Sequence, residues 1–308
     1  MKKYLITGGA GFIGSHIAEF LANQGHQVTV LDSLRTGFKN NLENLNINFI
    51  EGDICEKKLV NQLAKDHSAI FHLAALVSVP ESILKLRECI RINTTGTINV
   101  LDAAKNNSKC KVILSSSAAN YGDNPILPKV ESMKADPLTP YSITKLDGEY
   151  YLKMYQNYYG VPTTSLRYFN VFGPRQNPNS AYAAAVPIFI QNALKNEPIN
   201  IYGDGKQTRD FIYVRDVVAA NIFALEKGDD TYNIARGHSI SILELAEKIM
   251  NITNSKSKIK FLDERPGDIK HSQADPSKFQ KLGFKPKFTI EEALHETIEY
   301  YHKKLKTY

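Results

Sequence analysis

The stretch Tyr4-Leu5-Ile6-Thr7-Gly8-Gly9-Ala10-Gly11-Phe12-Ile13-Gly14 constrains the fold of this chain more than any other. A short apolar run ends in a glycine cluster. A helical pattern follows, with Phe12, Ile13, Ile17, Phe20 and Leu21 on one side. The reading is strand, tight turn, helix. Glycines allow a turn that a Cβ would block, and they let backbone N–H groups approach a pyrophosphate at the helix N-terminus, where the dipole favours anions. Gly9, Gly11 and Gly14 fit the dinucleotide spacing, and Gly8 adds a glycine one position earlier. The next apolar run, Val28-Thr29-Val30-Leu31, ends in Asp32, 18 residues past Gly14. An acidic residue there accepts hydrogen bonds from the adenosine ribose hydroxyls and repels a 2′-phosphate, which favours NAD over NADP.

Strand-like and helical runs then alternate. Strands are read at 46–51, 69–73 and 111–114, with helices at about 57–65 and, in one long piece, about 81–105. Parallel strands need crossovers, so the alternation predicts an α/β fold: a doubly wound parallel-sheet Rossmann domain with helices on both faces. Ligands in such sheets bind beyond the carboxyl ends of the strands. The glycine turn, Asp32, Asp53, Ala74-Ala75 and Ser115-Ser116-Ser117 all follow strand-like runs. The second half is less regular. Pro140 begins a helix over 141–159 that stops at Gly160, and a strand follows over 163–169. A turn-rich segment over 170–179 leads into shorter mixed elements: helices near 186–195 and 217–226, strands near 199–202 and 211–214, and a helix capped by Ser241 with Glu244 three residues on. The expected division is 1–169 plus about 205–235 for the NAD-binding domain, and about 170–204 plus 236–308 for a smaller, discontinuous α/β substrate domain.

At 308 residues and 43% hydrophobic composition the chain can bury a sizeable core. No stretch is long and apolar enough to span a bilayer, and Met1-Lys2-Lys3 runs straight into the first strand, so a cytoplasmic protein without membrane contact is expected. The net charge of +6 is modest and forms no concentrated Lys/Arg tract that would point to nucleic acid. Cys55, Cys89 and Cys110 are scattered without metal-ligand spacing, so reduced thiols and no metal centre are expected.

Tyr141-Ser142-Ile143-Thr144-Lys145 places Tyr and Lys at i and i+4 on one helix face. A tyrosine titrates near ~10, and bringing it to neutral pH takes roughly 4 kcal/mol of differential stabilisation. A neighbouring ammonium and a positively charged nicotinamide both favour phenolate. Ser117, 24 residues before Tyr141 and at a sheet edge, can share a hydrogen bond with the same substrate hydroxyl.

These residues carry a resemblance. The glycine turn, Asp32, Asp53, His72-Leu73-Ala74-Ala75, Ser115-Ser116-Ser117-Ala118-Ala119-Asn120-Tyr121-Gly122, Tyr141-x-x-x-Lys145 and Arg167-Tyr168-Phe169-Asn170 resemble, in order and spacing, the extended short-chain dehydrogenase/reductases, and within them the UDP-hexose 4-epimerases. The resemblance implies Tyr141 as base, Ser117 as its partner, and Lys145 on the nicotinamide ribose. It implies an NAD site lined by Gly8, Gly11, Phe12, Ile13, Gly14, Asp32, Asp53, Ile54, Ala74, Asn93, Ser115, Tyr141, Lys145 and Tyr168. On the UDP-sugar side it implies Ser117, Asn170, Ala184, Ala185, Tyr202, Asp268 and the diphosphate-binding arginines Arg209 and Arg265.

Ser272 occupies the place where glucose/galactose-restricted members carry a bulky Tyr, and so leaves room for a 2-N-acetyl group. The stretch 175–183 also resembles the N-acetylhexosamine-preferring branch, whereas Ala118-Ala119 stand where some of that branch carry further hydroxyls. The implied activity is NAD-dependent C4 epimerisation of UDP-GlcNAc/UDP-GalNAc, with UDP-Glc/UDP-Gal also within reach. The alternatives are a UDP-glucuronate 4-epimerase and a non-catalytic NAD-binding scaffold. A 4,6-dehydratase would need an acid pair where Ala118-Ala119 stands. Family members commonly dimerise through the two long helices, so a homodimer is expected.

Overall fold

The glycine turn leaves an interior strand of a parallel sheet. The computed structural model describes residues 1–107, 110–178, 184–264 and 269–306. In chain order the strands are β1 (Lys3–Thr7), β2 (Gln27–Asp32), β3 (Asn48–Glu51), β4 (Ala69–His72), β5 (Lys111–Ser117), β6 (Thr163–Tyr168), β7 (Asn170–Phe172), β8 (Ile199–Tyr202), β9 (Thr208–Tyr213), β10 (Thr231–Ile234), β11 (Ser239–Ser241) and β12 (Ile259–Leu262). The helices are α1 (Phe12–Asn23), α2 (Lys57–Ala64), α3 (Val79–Leu84), α4 (Leu86–Ile90), α5 (Gly96–Lys105), α6 (Pro140–Tyr159), α7 (Ala185–Lys195), α8 (Val214–Lys227), α9 (Ile242–Thr253), α10 (Ser277–Gln280) and α11 (Ile290–Lys306). Among the described residues, 7 strands form one sheet in the order β10-β6-β5-β4-β1-β2-β3. Every neighbouring pair in it is parallel. The order runs outward in both directions from β1 and β4, so the strand connections reverse between them. That reversal opens a crevice at the carboxyl edge, and this is the doubly wound Rossmann arrangement.

The middle strands carry runs of buried apolar residues because both faces of the sheet are covered. Alternate residues divide between two cores. Tyr4, Ile6, Val28, Val30, Phe71 and Ile113 pack with Ile17 and Leu21 of α1 and Val217 and Ala220 of α8. Leu5, Leu31, Ile70, Val112 and Leu114 pack on the other face with Val60 of α2, Val100 and Leu101 of α5, and Leu152 and Tyr155 of α6. Each large side chain so buried contributes roughly 1.5–3 kcal/mol. A separate cluster joins Val186, Phe189 and Ile190 of α7, Ile199 and Ile201 of β8, Phe211 and Tyr213 of β9, Leu245 and Ile249 of α9, and Leu294 and Ile298 of α11. Two small sheets, β11-β9-β7 and β12-β8, belong to this part.

The structure departs from the sequence reading most clearly in three places. The long helix expected over 81–105 is broken: Lys85 leaves helical geometry at φ −121° and ψ 50°, and Arg91–Thr95 winds as a π-type turn before α5. The widened turn lies where Asn93 points inward to bond the backbone of Leu76, and such an insertion is a recognised cause of π geometry. Phe20 is 39% exposed, because the sheet-facing stripe of α1 is Gly14, Ser15, Ile17, Ala18 and Leu21. The strand β10 has only 4 residues, Thr-Tyr-Asn-Ile, too short to show a period, and went unread. No helix of the described residues is long and apolar enough to cross a membrane.

Candidate active site

The glycine turn is shaped by close backbone approach. Gly8 has φ +73°, and a Cβ there would lie 2.6 Å from the Ala74 nitrogen. A Cβ on Gly14 would lie 2.3 Å from the Gly8 carbonyl oxygen, so α1 packs directly onto the turn. Gly11 is the N-cap of α1 and brings no side chain to cap it. The first-turn N–H groups therefore form the kind of cradle that takes an anion. Phe12 and Ile13, in that turn, pack against the third core cluster, and Ile13 also touches the first. The Asp32 carboxylate closes the arrangement: Oδ2 accepts the Ala10 N–H at 2.9 Å and Oδ1 the Leu34 N–H at 2.8 Å. Burial pushes its pKa up and the two N–H groups pull against that. Each oxygen keeps a lone pair for a ribose hydroxyl.

Asp53 and Ile54 follow β3. Asp53 accepts the Cys55 N–H at 2.9 Å and an Arg91 N–H at 2.9 Å. Ile54 is buried against Gly96, where a Cβ would come 2.4 Å from Ile54 Cδ1. Glycines that a Cβ would obstruct, an uncapped helix start and a strand-end carboxylate together fit a dinucleotide.

Helix α6 carries the Tyr–Lys pair. Thr139 and Ser142 cap each other reciprocally, the Thr139 Oγ1 accepting the Ser142 N–H at 3.2 Å and the Ser142 Oγ accepting the Thr139 N–H at 3.0 Å. Pro140 fills the first helical position. Tyr141 is thereby fixed in the first turn, its N–H donated to Ser82 Oγ at 3.2 Å. Lys145 is one turn on; its Nζ donates to the Ser115 carbonyl at 2.7 Å and lies 5.9 Å from the centre of the Tyr141 ring. Burial lowers the Lys145 pKa to about 8. Burial raises that of the Tyr141 phenol, and hydrogen bonding from Ser117 opposes the rise. Ser117 ends β5 and accepts the Ala119 N–H at 3.1 Å.

Behind these groups lies a buried polar scaffold that the sequence reading missed. His72 bridges Thr7 Oγ1 at 2.7 Å and Thr97 Oγ1 at 2.9 Å. Burial, with Lys145 nearby, lowers its pKa to about 3, so it stays neutral. Asn93, expected at the cofactor, also donates to Thr144 Oγ1 at 2.9 Å and so ties the loop after β4 to α6. Glu149 takes a forked pair from Arg167, at 2.9 Å and 2.6 Å, and also accepts from Ser116 and Asn120. Tyr168 is buried, with its hydroxyl bonded to Asn221 at 3.0 Å. The signal for this scaffold was present in Ser116, Asn120 and Arg167, which belong to quoted motifs, but which side chains point into the protein is set by the pleat.

The other side of the crevice is held by main chain. Asn170 Nδ2 donates to the Asp210 carbonyl at 3.3 Å. Arg209 donates to the carbonyls of Thr208 at 2.9 Å and Lys270 at 3.4 Å. Ser272 lies on the adjacent segment, its N–H bonded to the Thr208 carbonyl at 3.1 Å. The structure thus brings Asn170, Arg209 and Ser272 together. Tyr202 ends β8, and Ala184 and Ala185 cap and begin α7. Arg265 and Asp268 lie outside the described residues. Asp210, unmarked in the sequence reading, is fully buried and accepts the N–H groups of Arg236 and Gly237, each at 3.0 Å, and of Ala274 at 3.3 Å.

With this geometry in place, comparison with known proteins is specific. Residues 4–235 match the model of the NAD dependent epimerase/dehydratase family. A putative UDP-glucose 4-epimerase of Methanocaldococcus jannaschii is 38% identical over 298 residues, 96% of this chain and 97% of that protein. The solved UDP-N-acetylglucosamine 4-epimerase of Methanobrevibacter ruminantium, in complex with UDP-N-acetylmuramic acid, is 44% identical with a TM-score of 0.95, covering 98% of this chain and 99% of the other. The Thermotoga maritima UDP-glucose 4-epimerase, solved with UDP-glucose, is 36% identical with a TM-score of 0.95 over 98% and 99%. A strand-end carboxylate beside a glycine cradle, and a Tyr–Lys pair in the first turns of α6, thus sit in a chain similar from end to end to these proteins, and the chain belongs to the NAD-dependent epimerase/dehydratase family as an enzyme of its UDP-sugar 4-epimerase group.

Proposed function

We propose that this enzyme inverts C4 of UDP-N-acetylglucosamine and UDP-N-acetylgalactosamine, and also accepts UDP-glucose and UDP-galactose. The observation that carries the choice of sugar is Ser272. A short side chain stands on the segment hydrogen-bonded alongside β9, next to the arginine read as a diphosphate ligand. The 44% identity to a UDP-N-acetylglucosamine 4-epimerase supports the same reading.

NAD, when bound, supplies the reversible hydride acceptor, with its pyrophosphate against the turn of Gly8, Gly11 and Gly14, its adenosine ribose at Asp32, and Lys145 at its other ribose. The protein's part is orientation and proton transfer. Tyr141 removes the proton of the C4 hydroxyl, which Ser117 hydrogen-bonds. The hydrogen bond from Ser117 opposes the effect of burial on the phenol, and Lys145, with Nζ 5.9 Å from the ring centre, places a positive charge beside it. Asn170 and Arg209, joined by Arg265 and Asp268, hold the UDP half while the 4-keto sugar turns over. The turned sugar would take the hydride back on its opposite face, and Tyr141 would return the proton to the C4 oxygen. Exposed apolar residues on the helices that support the site, among them Ile83, Leu84, Leu86 and Ile143, support a homodimer formed through α3 to α6.

Proton NMR on purified enzyme with UDP-N-acetylglucosamine, UDP-glucose or UDP-glucuronate tests the assignment. The expected result is epimer from the first two, with the N-acetyl sugar preferred. Ser272→Tyr is expected to lower kcat/KM for the N-acetyl sugar by about 10- to 100-fold relative to UDP-glucose, the range over which steric fit discriminates. Turnover of UDP-glucose alone, or a Ser272→Tyr enzyme with unchanged preference, would remove the pocket argument. Turnover of UDP-glucuronate alone would reassign the substrate.

A further inference from the structure

We propose that Arg35, Glu81 and Glu88 form an ionic clasp across the mouth of the cofactor crevice, and that this clasp governs how slowly NAD leaves. The inference rests on NAD dependence and not on which sugar is the substrate.

Topology makes the argument. Strands β2 and β4 flank β1 on either side. A dinucleotide lying on the glycine turn after β1 must therefore pass between the segment that follows β2 and the segment that follows β4. Arg35 belongs to the first segment, three residues past Asp32. Glu81 in α3 and Glu88 in α4 belong to the second. The guanidinium joins them with separate nitrogens, at 2.5 Å to Glu88 Oε1 and 2.7 Å to Glu81 Oε1. Glu81 is also held by Lys85 at 3.0 Å.

The backbone aims Arg35 this way. Leu34 adopts a left-handed φ of 55°, and its N–H is fixed on Asp32 Oδ1. One carboxylate thus anchors both the glycine turn and the turn that carries the clasp. The far side is able to yield, since α3 has 6 residues, α4 has 5, and non-helical Lys85 separates them. The Arg35, Glu81 and Glu88 side chains are 30%, 28% and 34% exposed, so dissolved salt reaches the pairs. An epimerase returns its cofactor to the starting oxidation state in each cycle, so chemistry never requires the clasp to open.

The test is the rate at which the holoenzyme, loaded with radiolabelled NAD, loses label to an excess of unlabelled NAD, at low and at high sodium chloride. For the wild type, release is expected to accelerate several-fold with salt. Arg35→Ala and the double variant Glu81→Gln/Glu88→Gln are each expected to release NAD about tenfold faster at low salt, as loss of a two-pronged ionic link predicts, and to show little further response to salt. Unchanged release in either variant overturns the proposal. Fast release in Arg35→Ala alone also overturns it, because Arg35 would then be acting on the cofactor itself. Should Arg35→Ala not fold, Arg35→Lys keeps the charge without the fork and is expected to release about threefold faster; a wild-type rate there overturns the clasp equally.

Discussion

The two sides of the crevice position their groups by different means. Beneath Tyr141 and Ser117, side chain meets side chain: Arg167 forks onto Glu149, which also accepts from Ser116 and Asn120, with the charged pair 6% exposed on each member. Across the crevice, the segment bearing Lys270 and Ser272 lies against β9 through main-chain bonds to Thr208. The buried carboxylate of Asp210 gathers backbone N–H groups of Arg236, Gly237 and Ala274. The first arrangement depends on which residues are present. The second depends on where the chain passes and on one acceptor. Rigidity would suit the side on which proton transfer by Tyr141 is proposed. A main-chain lining leaves outward side chains such as Ser272 available for the substrate preference proposed for it.

If that contrast holds, the largest effects come from side-chain identity on the first side. Tyr141→Phe is expected to lower kcat by about 10³-fold or more, the scale of lost general acid–base catalysis, while the purified variant keeps its NAD. Near-wild-type epimerisation would break the assignment of the base. Next is Glu149→Gln, which leaves the Arg167 guanidinium buried without a charged partner. Removing one member of such a pair costs about 3–5 kcal/mol, and the amide should return a little of it, so a loss of about 3 kcal/mol in urea unfolding is expected. A loss under about 1 kcal/mol would mean that the scaffold tolerates substitution as readily as the opposite side.

The same contrast explains what the sequence disclosed. The glycine turn, the acid ending β2 and the Tyr–Lys spacing were readable because each restricts residue type at a fixed separation. Only glycine admits φ +73° at Gly8 against Ala74, and a spacing of four residues places Tyr141 and Lys145 on one helix face. Ser116, Asn120 and Arg167 were visible as letters of motifs, but that they converge on Glu149 required knowing the register of β5 and β6, where Ser116 pairs Arg167. Asn93 was readable as a site residue, yet its bonds to Leu76 and Thr144 come with a π-type turn that no helical period announces. Asp210 left almost no mark, because any residue can offer an N–H and its donors stand 26, 27 and 64 positions away.

Asp210→Asn probes the second side with a smaller expected effect. The amide keeps one acceptor oxygen but turns an NH2 toward N–H groups, so the segments bearing Arg236 and Ser272 should loosen. KM for the UDP-sugar is expected to rise about tenfold, roughly the cost of one or two weakened hydrogen bonds, with kcat changed less than threefold. A fall in kcat with KM unchanged would place Asp210 with the reacting groups instead. The pH dependence has a definite sign. Burial raises the carboxyl's pKa to about 6, against the N–H groups that lower it. The folded state therefore binds the proton more tightly than the unfolded state, whose carboxyl titrates near 3.8. Asp210 favours the fold most below that value and loses this contribution as pH rises through 6. The gap in unfolding free energy between wild type and Asp210→Asn should shift accordingly between pH 4 and pH 7, and an unchanged gap would show that the carboxyl does not titrate in this window.

The smallest effect is the sharpest test of main-chain control. Thr208 makes both kinds of bond: its N–H and carbonyl pair with Lys270 and Ser272 at 2.9 Å and 3.1 Å, while its Oγ1 meets His271 Nδ1 at 3.1 Å on the exposed side. Thr208→Val keeps the shape, the strand propensity and the main-chain pairing, and deletes only the hydroxyl. The lost bond is solvent-exposed, so water replaces it at little cost. Thr208→Val should therefore alter KM by less than about twofold and stability by under about 0.5 kcal/mol. A KM change as large as that expected of Asp210→Asn would mean that side chains hold this side too, and the two sides would then differ only in how deeply their networks are buried.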